Sequence, residues 1–546
     1  VSTTSEGLSS AEPSESGLFA RQATGLVRGV SPRSSFIINF IPGHPSQSLA
    51  VGFFIAFALF PGGSYLLALA MVIPLALAMS YAFGLLTQMI PRSGGDYVLV
   101  SRVLHPALGL VSSFCMTLSS VLSCAFFGIA FVTIGLGPGL IGIGLVAGSD
   151  TLLDWGSTIQ GSRTWQFFLG AGMMVLAGLI MSAGWRSTLR IQNVMFWLVT
   201  ASLGLCVIVA LFTSNGAFAD NFNEFAQPYT NNPDTYNSVI SAATEGGIDV
   251  DPSFSFANTI PIVGLFATFA IFSYWSTNVG GELRQASSMK TANNMAFAGL
   301  ASLAIVLVCS AIFLRTFGND FMIAANGAGL PEELGTAPTF FFLMAASVGN
   351  SIYAVIVTVC YILFWPLICY IAFLQPARVI FAYAFDGILP KGLTKVSRRG
   401  APYVAVIVTV VASILALLWA IRASSFFQVL VYATLIQLVA MALVGLAAIV
   451  VPWRRPELYR ASTSQRTLLG MPAVSVAGAG AVATCVFIWV LYLTHRTEFG
   501  LTDLGRMAAI LGGTIVLAAI FYVGVLAFRR SQGVDLTRTY AEIPPE

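Results

Sequence analysis

Two stretches of this chain set backbone-breaking residues beside side chains suited to holding a small polar ligand. The first is Pro42-Gly43-His44-Pro45-Ser46-Gln47-Ser48, inside an apolar run from 34 to 60. Each proline lacks an N–H and Gly43 admits torsions that other residues avoid, so continuous helix is not expected there. The second is Ser273-Tyr274-Trp275-Ser276-Thr277-Asn278-Val279-Gly280-Gly281, in a run from 256 to 280. A broken helix exposes N–H groups at the start of its second half and C=O groups at the end of its first. The N–H end attracts a carboxylate and the C=O end an ammonium. The N–H groups of Ser46, Gln47 and Ser48 are therefore expected to face a carboxylate, and the carbonyls near Ile41 and Gly43 an amine. Tyr274 and Trp275 would supply flat apolar walls with polar tips.

Each candidate has a plainer role as well. His44 can bond backbone at a helix end or relay a proton. Ser46 and Ser48 can cap the second half-helix, which is compatible with binding. Tyr274 and Trp275 can be packing residues.

The elements that must carry these stretches are membrane helices. Of 546 residues 57% are hydrophobic and 9% charged, and mean hydropathy is +0.84. That composition belongs to an integral membrane protein. The net charge of +3 gives no ground for a nucleic-acid partner. Runs able to cross a bilayer fall at 34–60, 65–88, 98–135, 165–183, 189–212, 256–280, 296–317, 353–383, 403–421, 425–451, 471–493 and 507–528. Twelve spans result, in an all-α fold. The third is overlong, and 134–147 is expected partly at the surface.

Alternating the spans from a cytoplasmic N-terminus puts all but five of the 26 basic residues inside. The five are Arg163, Arg315, Arg422, Arg496 and Arg506. One missed span would reverse the bias midway, so the tally supports twelve spans with both termini cytoplasmic. Residues 1–30 read as a disordered cytoplasmic tail without a cleavable signal, and 531–546 as a second tail. The outer loop 214–255 is acidic without Lys or Arg and reads as a solvated cap.

All seven cysteines lie in apolar runs without a Cys-x-x-Cys, and only three histidines occur. Buried small hydrophobes are expected, with no metal site and no cofactor. No span carries a charge clearly at its middle, so no carboxylate relay is signalled at mid-bilayer.

Two loops on the inner side are more specific. Pro91-Arg92-Ser93-Gly94-Gly95-Asp96-Tyr97 follows span two. After span eight comes Arg378, then Asp386-Gly387-Ile388-Leu389-Pro390-Lys391 and Arg398-Arg399-Gly400-Ala401-Pro402. Both are similar to signatures of the amino acid–polyamine–organocation (APC) permeases, and Gly281-Glu282-Leu283-Arg284 resembles that superfamily's acidic end of span six. The resemblance covers about 30–451. It implies a LeuT-like 5+5 inverted repeat, 31–213 (spans one to five) and 256–452 (spans six to ten), with 453–530 (spans eleven and twelve) peripheral. The two breaks found from Pro and Gly are then spans one and six, corresponding members of the two halves.

The resemblance further implies a secondary transporter for amino acids or related amines, in the plasma membrane, working by alternating access. Its substrate would sit at Ile41, Gly43, His44, Ser46, Gln47, Ser48, Ser273, Tyr274, Trp275, Ser276 and Thr277. Arg92, Asp96, Glu282, Arg284, Arg378 and Asp386 become inner-gate candidates, forming ion pairs that open and close or that stay static. A site without fixed charge favours a neutral amino acid over a polyamine. The coupling ion, H+ or Na+, stays open: the Lys that some proton-coupled members carry in span five is absent, and 359–378 holds no Ser or Thr. Two alternatives remain, a transport-dead solute sensor on the same fold and a membrane-embedded transferase using His44 as base. Oligomeric state is open.

Overall fold

The computed structural model describes residues 28–397, 401–422, 426–468, 470–501 and 503–532. Of the expected tails, 1–30 and 531–546, residues 1–27 and 533–546 lie outside them, as does Arg398-Arg399-Gly400. The chain is almost wholly helical, with one two-residue hairpin pairing Thr467–Leu468 with Met471–Pro472.

Among the described residues, eleven helices are long and apolar enough to cross a membrane. Adding the interrupted first span gives the expected twelve. Span one consists of Pro32–Phe40 and Phe53–Leu59 around its break. Spans two to five are Tyr65–Met89, Pro106–Ala147, Arg163–Ser182 and Trp185–Phe212. Span six enters as Phe256–Ala270. Spans seven to nine are Met289–Phe317, Ser351–Phe385 and Tyr403–Ala420. Spans ten to twelve are Phe426–Arg454, Ala473–Thr494 and Leu504–Ser531.

Short polar side chains start these helices. Ser31, Ser64, Ser162, Ser255, Ser288 and Asn350 each accept an N–H of the first turn, stabilising each start by about 1 kcal/mol. Apolar faces then sort by depth. The span-six segment is 72% buried and span twelve 11%, so the former lies at the centre of the bundle and the latter at its edge. Span two packs on span seven, and span ten on spans three and eleven.

Two segments differ in form from their expectation. In 134–147, expected partly at the surface, Phe131–Leu136 widens into a π-turn and Gly137–Ala147 runs on as helix, with Ala147 at its end exposed. That helix buries Ile141 and Leu145 while packing on Asp150–Gly161 and span eight. Its glycines permit the approach, since a Cβ on Gly139 would lie 2.5 Å from Thr358 Cγ2. The acidic outer loop holds two helices, Asn215–Thr230 and Thr235–Glu245. They bury Phe218, Phe222 and Tyr236 against Phe317 and Phe321, so its acidic exterior covers an aromatic underside.

Candidate functional site

Span one loses its α-helical geometry after Phe40. A 3-10 turn at Ile41–Gly43 leads to His44, whose ψ of 131° turns the chain out of helix. A short helical turn, Pro45–Gln47, and a π-turn, Ser48–Gly52, lead into the second half. The imidazole occupies the helix start: His44 Nδ1 accepts the Ser46 N–H at 3.2 Å, and Nε2 lies 3.2 Å from Thr200 Oγ1 on span five. The Gln47 and Ser48 N–H groups donate to the carbonyls of His44 and Pro45. In this conformation, then, all three donors expected at a carboxylate are engaged within the break. Gly43 is needed by space, because a Cβ there would lie 3.3 Å from Phe269 O. Its carbonyl accepts from Ser302 on span seven.

Span six breaks after Ala270 into turns and two 3-10 segments, Trp275–Asn278 and Gly280–Glu282. Here contacts with other spans hold the broken segment. Asn39 Oδ1 of span one accepts the Ser276 N–H at 2.8 Å, tying the two breaks together. Trp275 Nε1 donates to Ile371 O at 2.6 Å, and Thr87 donates to Thr277 Oγ1 at 2.9 Å. Tyr274 stacks on Phe83 at 3.7 Å. Among the described residues, three serine hydroxyls in the breaks, those of Ser46, Ser273 and Ser276, and the Tyr274 hydroxyl are buried without a hydrogen-bond partner. Leaving such groups unmet is costly, so these positions are suited to meeting a ligand or water.

A cavity opens where the breaks meet. Its polar wall is Gln47, Ser120, Ser123, Thr268, Thr434 and Gln437. Its apolar wall comes from Phe127 on span three, Phe269, Phe272 and Trp275 on span six, Ile368, Ile371 and Ala372 on span eight, and Leu430 on span ten. Among the described residues, no ionisable side chain lines it. The volume is about 50 Å3, room for a few water molecules, so the cavity is contracted in this state. Of the residues anticipated here, Gln47 and Trp275 reach the cavity wall. Ile41, Gly43, His44, Ser46, Ser48, Ser273, Tyr274, Ser276 and Thr277 stand in the breaks without lining it. Spans three and ten had not been anticipated. Their sequence signal is a pair of small polar residues three apart, Ser120 with Ser123 and Thr434 with Gln437, each on one helical face.

Among the described residues, the end of the bundle that holds the 91–97 and 386–391 loops, the inner end as expected from the sequence, carries two buried ion pairs. Arg378 Nε lies 2.7 Å from Glu282 Oε1, and its NH2 3.2 Å from Oε2. Trp185 Nε1 of span five donates to Glu282 Oε2, and the Arg378 guanidinium lies 5.3 Å from that indole's centre. Arg102 NH2 meets Asp386 Oδ2 at 2.7 Å, where Tyr97 OH also donates at 2.7 Å. These partners are not sequence neighbours. Arg92 donates to Pro91 O instead of Asp96, and Arg284 is exposed. Arg102 had not been anticipated at all.

Asp96 lies in a short helix, Gly95–Val103, between spans two and three. Its carboxylate accepts from Ser112 Oγ at 2.7 Å and from Gln375 Nε2 at 3.3 Å, and the backbone amides of Asp96 and Tyr97 also favour its charged form. Burial pushes its pKa up to about 6 against the pull of those donors. The Gly94-Gly95 turn that starts this helix has φ of 121° and 56°, torsions that side chains resist. It lies flat on span six, Gly94 N–H reaching Asn278 O at 3.2 Å. A Cβ on Gly95 would collide with Asn278 Oδ1.

With twelve spans, two interrupted helices and the inner motifs placed, comparison with known families is decisive. The amino acid permease family profile matches residues 34–502. The chain belongs to the amino acid permease family, within the APC superfamily. Comparison with curated proteins gave no match. This permease is therefore a multi-pass membrane transporter of the class that moves amino acids or amines.

Proposed function

We propose that this permease is a secondary carrier of neutral amino acids with apolar side chains, binding them between the two breaks and moving them by alternating access. The observation that carries the reading is the cavity: it touches both breaks and its walls hold no ionisable group. A fixed net charge would be desolvated there without a partner. A zwitterion is met in another way: once the cavity widens into the breaks, its two ends reach the unpaired hydroxyls of Ser46, Ser273 and Ser276, while its side chain packs on Phe127, Phe269 and Leu430. Admitting it requires the contracted cavity to widen.

The proposed architecture is the 5+5 inverted repeat, 31–213 with 256–452, spans eleven and twelve being peripheral. Termini lie in the cytoplasm of a cell whose plasma membrane holds the carrier. The Arg378–Glu282 and Arg102–Asp386 pairs, with Asp96, form the inner gate. They join the inner helix and spans five, six and eight, elements that must separate for inward release.

The test is uptake of labelled L-leucine by proteoliposomes containing the purified full chain. Saturable uptake competed by other apolar amino acids is expected, with L-lysine and putrescine ineffective. Ala372→Phe, which fills the cavity, should cut uptake about tenfold or more. Preference for lysine or putrescine would overturn the neutral assignment, and saturable binding without flux would make the chain a sensor.

A further inference from the structure

The inner end holds three buried carboxylates, and one differs in kind. Glu282 and Asp386 each pair with an arginine at 2.7 Å. Asp96 is 2% exposed, and among the described residues no cation pairs with it. Two neutral donors from other elements meet it, Ser112 of span three and Gln375 of span eight. A buried carboxyl with no counter-charge prefers its neutral form, and exposure to water restores the charged one.

The surroundings can satisfy both forms. When charged, the carboxylate accepts from Ser112 and Gln375. When neutral, its new O–H donates to Ser112 Oγ. The serine proton then turns to Ala440 O on span ten, 3.5 Å from that oxygen. The exchange is one proton gained or lost at one carboxyl oxygen, with no other bond changed.

The carboxyl is also connected to the cavity. Gln375 donates to Asp96 through Nε2, while its Oε1 accepts from Ser120 Oγ at 3.5 Å and Thr117 Oγ1 at 3.4 Å. Ser120 lines the cavity. Whatever takes the Ser120 hydroxyl there loosens Gln375 and so alters what Asp96 receives.

Other charges nearby are already committed. On its own helix, Arg102 is held by Asp386 of span eight. Also on span eight, Arg378 is held by Glu282 of span six. The titratable groups that feel the Asp96 charge are Cys115 of span three and Tyr274 in the span-six break. Span ten presents Ala440 O and Gln437 to this network.

We propose that Asp96 is the proton-binding site of this carrier, holding a proton more tightly while the inner helix is sealed against spans three and eight and releasing it when the inner side opens to water. The coupling ion is then H+, and the inner helix converts its binding into gate position. By linkage, a state that holds the proton more tightly is favoured by protons in the same measure. This rests on the carrier reading above, but its first test needs no substrate.

That test follows protonated-carboxyl C=O absorption by infrared titration of the full chain in lipid, comparing wild type with Asp96→Asn. One aspartic acid band should titrate near pH 6 and be missing from the variant. Ser112→Ala, which removes a donor to the charged form, should move it to higher pH. Titration of every Asp96-dependent band near the ordinary carboxylate value of about 4 would overturn the proposal, as would an unmoved band in Ser112→Ala.

The second test is L-leucine uptake with and without an inward proton gradient. Wild type should be stimulated, and the ratio should fall to about one in Asp96→Asn, whatever the absolute rate. Equal stimulation in both proteins would also overturn it. Absence of leucine flux in both, beside a band near pH 6, would count against the leucine-carrier reading and leave the proton site standing.

Discussion

Arg378 and Glu282 meet at 2.7 Å, 96 positions apart in the chain, with Trp185 donating to the same carboxylate. The pair joins spans five, six and eight at one point on the inner end. Both side chains are nearly inaccessible to water, 4% and 0% exposed. Charges so placed hold only while they hold each other, since desolvation is repaid by the partner and the remaining hydrogen bonds.

Arg378→Ala should therefore cost stability on the order of 3–5 kcal/mol, because it strands the Glu282 charge. Arg378→Met with Glu282→Leu should recover much of that loss yet leave uptake impaired, as the inner seal is no longer polar and reversible. Thermal unfolding in lipid nanodiscs separates the two effects from leucine uptake.

The Asp96 carboxyl sets a pH dependence with a definite sign. Its pKa is raised in the folded chain from 3.8 to about 6, so the folded state binds the proton more tightly than the unfolded one. The stabilisation is full at pH below the unfolded value and is lost as pH rises through the folded value. Stability should fall between about pH 4 and 6 by roughly 2–3 kcal/mol from this group. Asp96→Asn should flatten that part of the profile, as read by unfolding temperature across pH.

At the inner turn, Gly95→Ala meets two obstacles, a φ of 56° and the Asn278 side chain. A loss of about 1–3 kcal/mol is expected from strain at such a position. Gly95→Ala combined with Asn278→Gly should restore part of it, since the clash is removed and the torsion remains. Unfolding temperature reads both variants.

His44 acts on backbone in this structure, its Nδ1 accepting the Ser46 N–H. His44→Ala should cost about 1 kcal/mol for a lost helix start, while His44→Asn, which can accept the same N–H, should cost less. Equal losses from the two variants would show that contact with Thr200 and the surrounding rings matters more than the cap.

Trp275 is both a wall of the cavity and a clamp on span eight through Ile371 O. Trp275→Phe should lose about 1 kcal/mol with that hydrogen bond and raise the KM for leucine. A change in stability without a change in KM would remove Trp275 from the binding surface.

The number of spans and the positions of both breaks were legible without coordinates. Hydropathy marks a membrane helix whichever neighbour it finds, and Pro42, Pro45 and Gly43 interrupt a helix by their own covalent structure. The glycine pair at 94 and 95 likewise announced a turn. Which side chains would meet was not legible. Arg284 stands two residues from Glu282 and is exposed, while Arg378 reaches Glu282 across the bundle. Nor did the cavity wall declare itself, although Ser120, Ser123, Thr434 and Gln437 sit in plain view within apolar spans.

The physical reason is that lipid and protein interior are both apolar. A membrane helix that is hydrophobic on every side carries little record of which face turns inward, whereas a soluble helix writes it in polarity. Local sequence thus determined where this permease is helical and where it must break. The packing of spans three, six, eight and ten alone decided which few polar groups converge, which charges pair, and that Asp96 is left with none.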